Sequence, residues 1–228
     1  MIAAFTGLLA GAIHVWAGPD HLAAIAPLAA RRSGKAWVPG VRWGLGHSAG
    51  VALVGLLALL ARDLLPLDAL SSWGERLVGV MLIGIGLWGL KKAMQNRVHT
   101  HVHAHDGEAH VHVHAHPKTH QQEGAHRHGH AALGIGILHG LAGSSHLLGV
   151  LPMLAMPTKL DAALYLAAFA TGTIFSMGLF STLVGALATR CALTGDRAYR
   201  TMMGCCALAA FGVGIAWLVI STSGAPVE

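Results

Sequence analysis

The chain has 228 residues, of which 54% are hydrophobic and only 11% charged, with a mean hydropathy of +0.58. Soluble domains carry about 25% charged residues, so this balance excludes one and points to an all-α integral membrane protein. The net charge of +5 is not read as a nucleic-acid signal, because the basic residues sit between apolar segments in the manner of membrane topology.

Crossing a bilayer as a helix takes roughly 20 mostly apolar residues. Six such segments are predicted, near 2–29, 38–61, 71–90, 131–156, 160–188 and 201–221. The first opens with Met1-Ile2-Ala3-Ala4, which supplies no basic region of the kind that begins a signal peptide, so it is expected to be a retained span. It contains the stretch HVWAGPDHLAAIAP, in which His14, Asp20 and His21 interrupt an otherwise lipid-compatible sequence. A charge at the centre of a membrane helix costs about 2.5–3.5 kcal/mol on insertion scales, so such residues usually line a pathway. As one helix, residues 2–29 would measure about 42 Å against a hydrocarbon core of about 30 Å. Gly18-Pro19 breaks the helix where the ionisable groups cluster. Unbroken, it would hold His14 and His21 about 10.5 Å apart along its axis, too far to share one ion; unwinding would bring them together. His47, in the GLGHSAG stretch of the second segment, offers a third imidazole on a closely packable helix.

Between the third and fourth segments lie 12 of the 17 histidines: His99, His101, His103, His105, His110, His112, His114, His116, His120, His126, His128 and His130. A polar tract this dense in histidine is expected to be disordered when empty and to hold divalent ions loosely.

The stretch GAIHVWAGPDHLAAIAPLA returns as GILHGLAGSSHLLGVLPMLA at an offset of 125. Gly11, His14, Ala17, Gly18, His21, Leu22 and Pro27 fall on Gly136, His139, Ala142, Gly143, His146, Leu147 and Pro152. A repeat of three spans is odd-numbered, so the second copy must enter the membrane inverted. This is the plan of many transporters, whose sites lie where broken helices meet. The domain plan is a three-helix repeat over 1–97, a His-rich loop over 98–130, an inverted repeat over 131–222 and a tail over 223–228. The helix breaks are expected at Gly18, Pro19 and Gly143, and His139 and His146 join the candidate metal residues. Ser48, Ser144, Ser145, Thr171, Thr173 and Ser176 are taken as helix-packing hydroxyls and Met177 as core. Cys191, Cys205 and Cys206 form neither a CxxC pair nor a disulfide framework.

With six spans, one side of the membrane holds Arg31, Arg32, Lys35, Arg42, Lys91, Lys92, Arg97, Lys118, Arg127, Arg190, Arg197 and Arg200, and the other only Arg62, Arg76 and Lys159. The positive-inside rule places the first side, with the His-rich loop, in the cytoplasm and both termini outside a cytoplasmic membrane.

HVWAGPDH followed by GLGHSAG resembles the HxxxxDH and LGHS motifs of the nickel/cobalt permeases (NiCoT) and their UreH-like and NicO relatives. The resemblance implies that His14, Asp20, His21 and His47 select the metal. Five residues rather than four separate His14 from Asp20, Ile13 stands where the family has arginine, and the second repeat has serines where an acid is expected; NiCoT proteins usually have eight spans, so this shorter chain looks closer to the UreH-like branch. The expected function is secondary transport of nickel or cobalt, with zinc as a further candidate, uptake being slightly preferred to efflux. The ion is cargo, and no permanently bound cofactor or enzymatic activity is expected; the lipid bilayer and a metallochaperone are the expected partners. The alternatives are a metal-binding accessory or storage protein, an exporter of zinc or another metal, and a thiol-relay protein, which would want cysteines where this chain has histidines.

Overall fold

The computed structural model describes residues 1–31, 35–61, 67–95, 98–105, 108–115, 127–142, 152–153 and 155–223. The first segment is two helices, α1 (Ile2–Ala17) and α2 (Pro19–Ala29), meeting at 73°. Gly18 between them is extended at φ −91° and ψ 100°, and its N–H donates to the His14 carbonyl at 3.2 Å. Pro19 then opens α2, a position where its missing N–H costs no helical hydrogen bond. Next come α3 (Trp37–Ala61) and α4 (Leu67–Gln95), a hairpin of β1 (Val98–His105) and β2 (Glu108–Ala115), then α5 (Arg127–Leu141), α6 (Lys159–Thr194) and α7 (Asp196–Ser223).

Each predicted segment carries a helix. Among the described residues, 73–95 of α4, all of α6 and nearly all of α7 are long and apolar enough to span a membrane, and the bent α1–α2 pair makes a fourth such unit. The later helices outrun their predicted edges because local signals set their ends. At the start of α6 the Thr158 hydroxyl accepts the Asp161 N–H at 3.1 Å; at its end Gly195 adopts φ +142°. At 36 residues, α6 is about 54 Å long, well beyond the apolar layer.

The distribution of polarity is that of a membrane protein. Asp20, His21, His47, His139, Thr173, Ser176 and Ser181 are buried, whereas Phe5, Ile13, Trp73, Phe175, Leu183 and Val219 face outward. On a soluble protein so much apolar surface would drive association; in lipid it is the outer coat.

The helices pair crosswise. α1 packs on α6, α3 on α5 and α6, and α4 on α7. Glycines permit these approaches: Gly11 lies against the Phe169 backbone carbonyl, Gly136 against that of Trp43, and Gly140 against that of His47. Backbone cannot yield as a side-chain tip can, so Gly11→Leu is expected to wedge α1 off α6. Overpacking of this kind costs about 1–3 kcal/mol, to be read as a lower melting temperature in detergent; an unchanged melt would contradict the packing.

The His-rich segment contains the antiparallel hairpin of β1 and β2. Its antiparallel register runs from Val98 opposite Ala115 to His105 opposite Glu108. In both strands histidine alternates with valine, alanine or threonine. Helix α5 begins at Arg127 and takes in His128 and His130. His116, His120 and His126 lie outside the described residues, as do Gly143 and His146.

Candidate metal centre

The break at Gly18 does what an unbroken helix could not. His14 stands in the last turn of α1 and His21 in the first turn of α2, and their Nε2 atoms lie 3.0 Å apart. The Nε2 of His47, from α3, is 3.4 Å from that of His14. Two nitrogens bound at about 2.0–2.1 Å to one tetrahedral ion lie about 3.3–3.4 Å apart. The three imidazoles thus stand close to the spacing that a shared ion imposes, with their ligand atoms all within 4.8 Å of one another.

Asp20 holds this arrangement from behind. Its Oδ1 lies 2.9 Å from His21 Nδ1, and its Oδ2 lies 3.0 Å from His139 Nε2 and accepts the Trp217 indole N–H at 3.3 Å. With Nδ1 of His21 bonded to the carboxylate, Nε2 is the nitrogen presented to His14. A metal-binding imidazole usually has such a partner on its far nitrogen, which sets the tautomer and ring orientation. Asp20 also occupies the first turn of α2, where the positive end of the helix dipole favours a carboxylate. Asp20, His21 and His139 form a second group able to hold an ion, so the two groups share His21. Relative exposure is 4% for Asp20, 2% for His21 and 0% for His47 and His139, while His14 is half-buried. The shared site therefore has one accessible histidine and a sealed interior.

The structure brings together five of the six expected membrane residues: His14, Asp20, His21, His47 and His139. In each copy the first histidine stands in the last turn of its helix. Gly18 N–H donates to the His14 carbonyl at 3.2 Å, and Ala142 N–H to the His139 carbonyl at 3.2 Å.

Two tryptophans escaped sequence reasoning. Trp43 stacks on His47 with centroids 4.7 Å apart and planes 8° apart, and its edge-on contact with His21 is at 5.4 Å. Its spacing of four from His47 on one helix was the available signal. Trp217 gave none, being 197 positions from the carboxylate it meets. Met177 is fully buried in the main core, as expected. Among the hydroxyls, Thr171 bonds its own helix at the Ala167 carbonyl, 2.8 Å away. The Ser48 and Thr173 hydroxyls, by contrast, are buried without a hydrogen-bond partner among the described residues. They are 125 apart, the repeat offset. Cys191, Cys205 and Cys206 are free thiols on α6 and α7 and belong to neither metal group.

Among known proteins, the chain is 34% identical over 222 residues to Chloroplast protein FOR GROWTH AND FERTILITY 1 of Arabidopsis thaliana, and 34% identical over 220 residues to Chloroplast protein FOR GROWTH AND FERTILITY 2 of the same plant. These alignments take in 97% and 96% of the chain but only 60% and 56% of the two relatives, so the chain spans little more than half their length. It is 30% identical over 170 residues to Urease accessory protein UreH of Bacillus sp. (strain TB-90), covering 73% of the chain and 69% of that protein. No solved structure matches. The family model described as cytochrome C biogenesis protein transmembrane region matches residues 2–217, nearly the whole chain, and the chain belongs to that family of multi-pass membrane proteins.

Proposed function

We propose that this protein is a secondary transporter of divalent transition-metal ions, which shed water onto His14, His21 and His47 at the break in the first membrane segment. The observation that carries this reading is the convergence of three Nε2 atoms, at 3.0 and 3.4 Å from that of His14, inside an apolar helical bundle. Imidazole suits nickel, zinc and their neighbours over magnesium or calcium. Nickel or cobalt is preferred on the resemblance of HVWAGPDH and GLGHSAG to the nickel/cobalt permeases, in keeping with the UreH relative.

The crosswise pairing supports movement about the site. The first helix of each half packs on the second of the other, and the third helices pack together, as two inverted halves related by a pseudo-two-fold axis would do. Rocking of such halves would expose the histidines to either side in turn. The unpartnered hydroxyls of Ser48 and Thr173 would serve the water of a passing ion. The reading is non-enzymatic, takes the ion as cargo, and places the hairpin in the cytoplasm by the charge bias, with uptake slightly preferred to efflux.

Flux into proteoliposomes preloaded with a fluorescent chelator tests it. Saturable nickel or cobalt entry is expected, exceeding that of manganese. Binding without flux for any ion would replace the carrier with a metal-holding accessory protein.

A further inference from the structure

Helices α4 and α7 run antiparallel, so each begins where the other ends. Near the start of α4, Arg76 donates to the Ser221 carbonyl of α7 at 3.4 Å. Near the start of α7, Arg200 donates to the carbonyls of Ala93 and Met94 at 2.9 and 3.5 Å. At this second end the two helices enclose a cavity of about 540 Å³, distinct from the metal centre and lined by Leu90 and Met94 of α4 and by Arg197, Arg200, Thr201 and Gly204 of α7. Its polarity is graded along the helix axes. The two arginines and Thr201 stand at the mouth, whereas Gly204 lies about 10 Å deeper than Arg197 and Leu90 about 6 Å deeper than Met94. Beyond them the exposed Leu87 and Leu208 continue the apolar coat. The Tyr199 hydroxyl donates to the Ala30 carbonyl at 3.2 Å, which brings the end of α2 to the same level. There Arg31 stacks over the Trp88 ring at 5.0 Å, the pairing of tryptophan and cation that marks the headgroup layer of a membrane. Lys91 and Arg190 are exposed near the ends of α4 and α6, and Asp196 is the acid among the cavity's lining residues.

We propose that this cavity binds one anionic phospholipid, its phosphate held by Arg197 and Arg200 and an acyl chain laid past Leu90 and Gly204. A guanidinium presents its N–H groups in a planar fork that matches phosphate oxygens. Arg200 spends two of its five N–H groups on the α4 carbonyls and keeps the others for a ligand. Two guanidinium groups against the one Asp196 carboxylate leave the mouth positive. The apolar inner wall would be wasted on a free phosphate and suits a chain that descends into the bilayer. Gly204 makes room for that chain, since a side chain there would meet no atom within 4 Å. Helices α4 and α7 are the third helices of the two halves, so the lipid touches both and ties them together at this end.

Native mass spectrometry of the full-length protein tests this. The protein is delipidated in detergent and offered equal amounts of phosphatidylglycerol and phosphatidylcholine with identical acyl chains. One phosphatidylglycerol per chain is expected to be retained, preferred over phosphatidylcholine by about 5-fold or more, the order that a basic residue near an anionic headgroup supplies. Arg197→Ala should remove the preference, and Gly204→Leu should remove the bound lipid. The second substitution sets a better helix former in open space, so its melting temperature should not fall. Equal retention of the two lipids by the unaltered protein would overturn the proposal, as would an unchanged preference in Arg197→Ala or unchanged retention in Gly204→Leu. Inorganic phosphate and glycerol 3-phosphate form the control arm. Displacement of the lipid by either one at equal concentration would reveal a site for a soluble anion and remove the lipid.

Discussion

His14→Ala and His21→Ala, singly or together, are expected to abolish nickel and cobalt flux in proteoliposomes while leaving the helical bundle folded. Each removes one of the three Nε2 atoms gathered around a common point. Loss of an outer hydrogen-bond partner of a metal ligand costs about 10–100-fold in affinity, and loss of a ligand itself should cost more. The two variants differ in stability. His14 is half-buried, so its truncation leaves little void. His21 is buried beside Trp43 and bonded to Asp20, so its removal leaves a cavity and an acceptor short of a donor, and the lower melting temperature is expected there. Flux surviving in both variants would place the ion elsewhere, with Asp20 and His139 the remaining candidates.

Asp20 is expected to give the second large effect, and its two substitutions separate orientation from stability. Its carboxylate serves His21 on one oxygen, and His139 and Trp217 on the other. Asn offers one acceptor oxygen in place of two, so Asp20→Asn should keep the fold but let the His21 ring turn, weakening nickel binding by about 10–100-fold. Asp20→Ala strands the groups that meet the carboxylate in a buried setting. An unsatisfied buried polar group costs about 1–3 kcal/mol, so several kcal/mol of stability should be lost. Isothermal titration and thermal melts on the same preparations read the two effects apart. Unchanged affinity in Asp20→Asn would remove the orienting role; loss as complete as in the histidine variants would make Asp20 a direct ligand.

The membrane class and the helical segments were legible because they depend on local composition: a run of about 20 apolar residues has few other stable states in lipid. The break at Gly18-Pro19 was equally legible, since it follows from the backbone preferences of two adjacent residues. The alternating spacing of the loop histidines was legible as well, whereas the pairing of residues 98–105 with 108–115 came from the structure. That His14, Asp20, His21, His47 and His139 belong to one centre was suggested by a count of costly intramembrane groups and by the repeat. Which of them face a common point and which stand behind was decided by tertiary structure. His14 meets His47 across 33 positions, Asp20 meets His139 across 119, and Trp217 reaches Asp20 across 197. Such meetings depend on which helix faces pack and how closely glycine lets them approach, and neither is set by residues near each other in the chain.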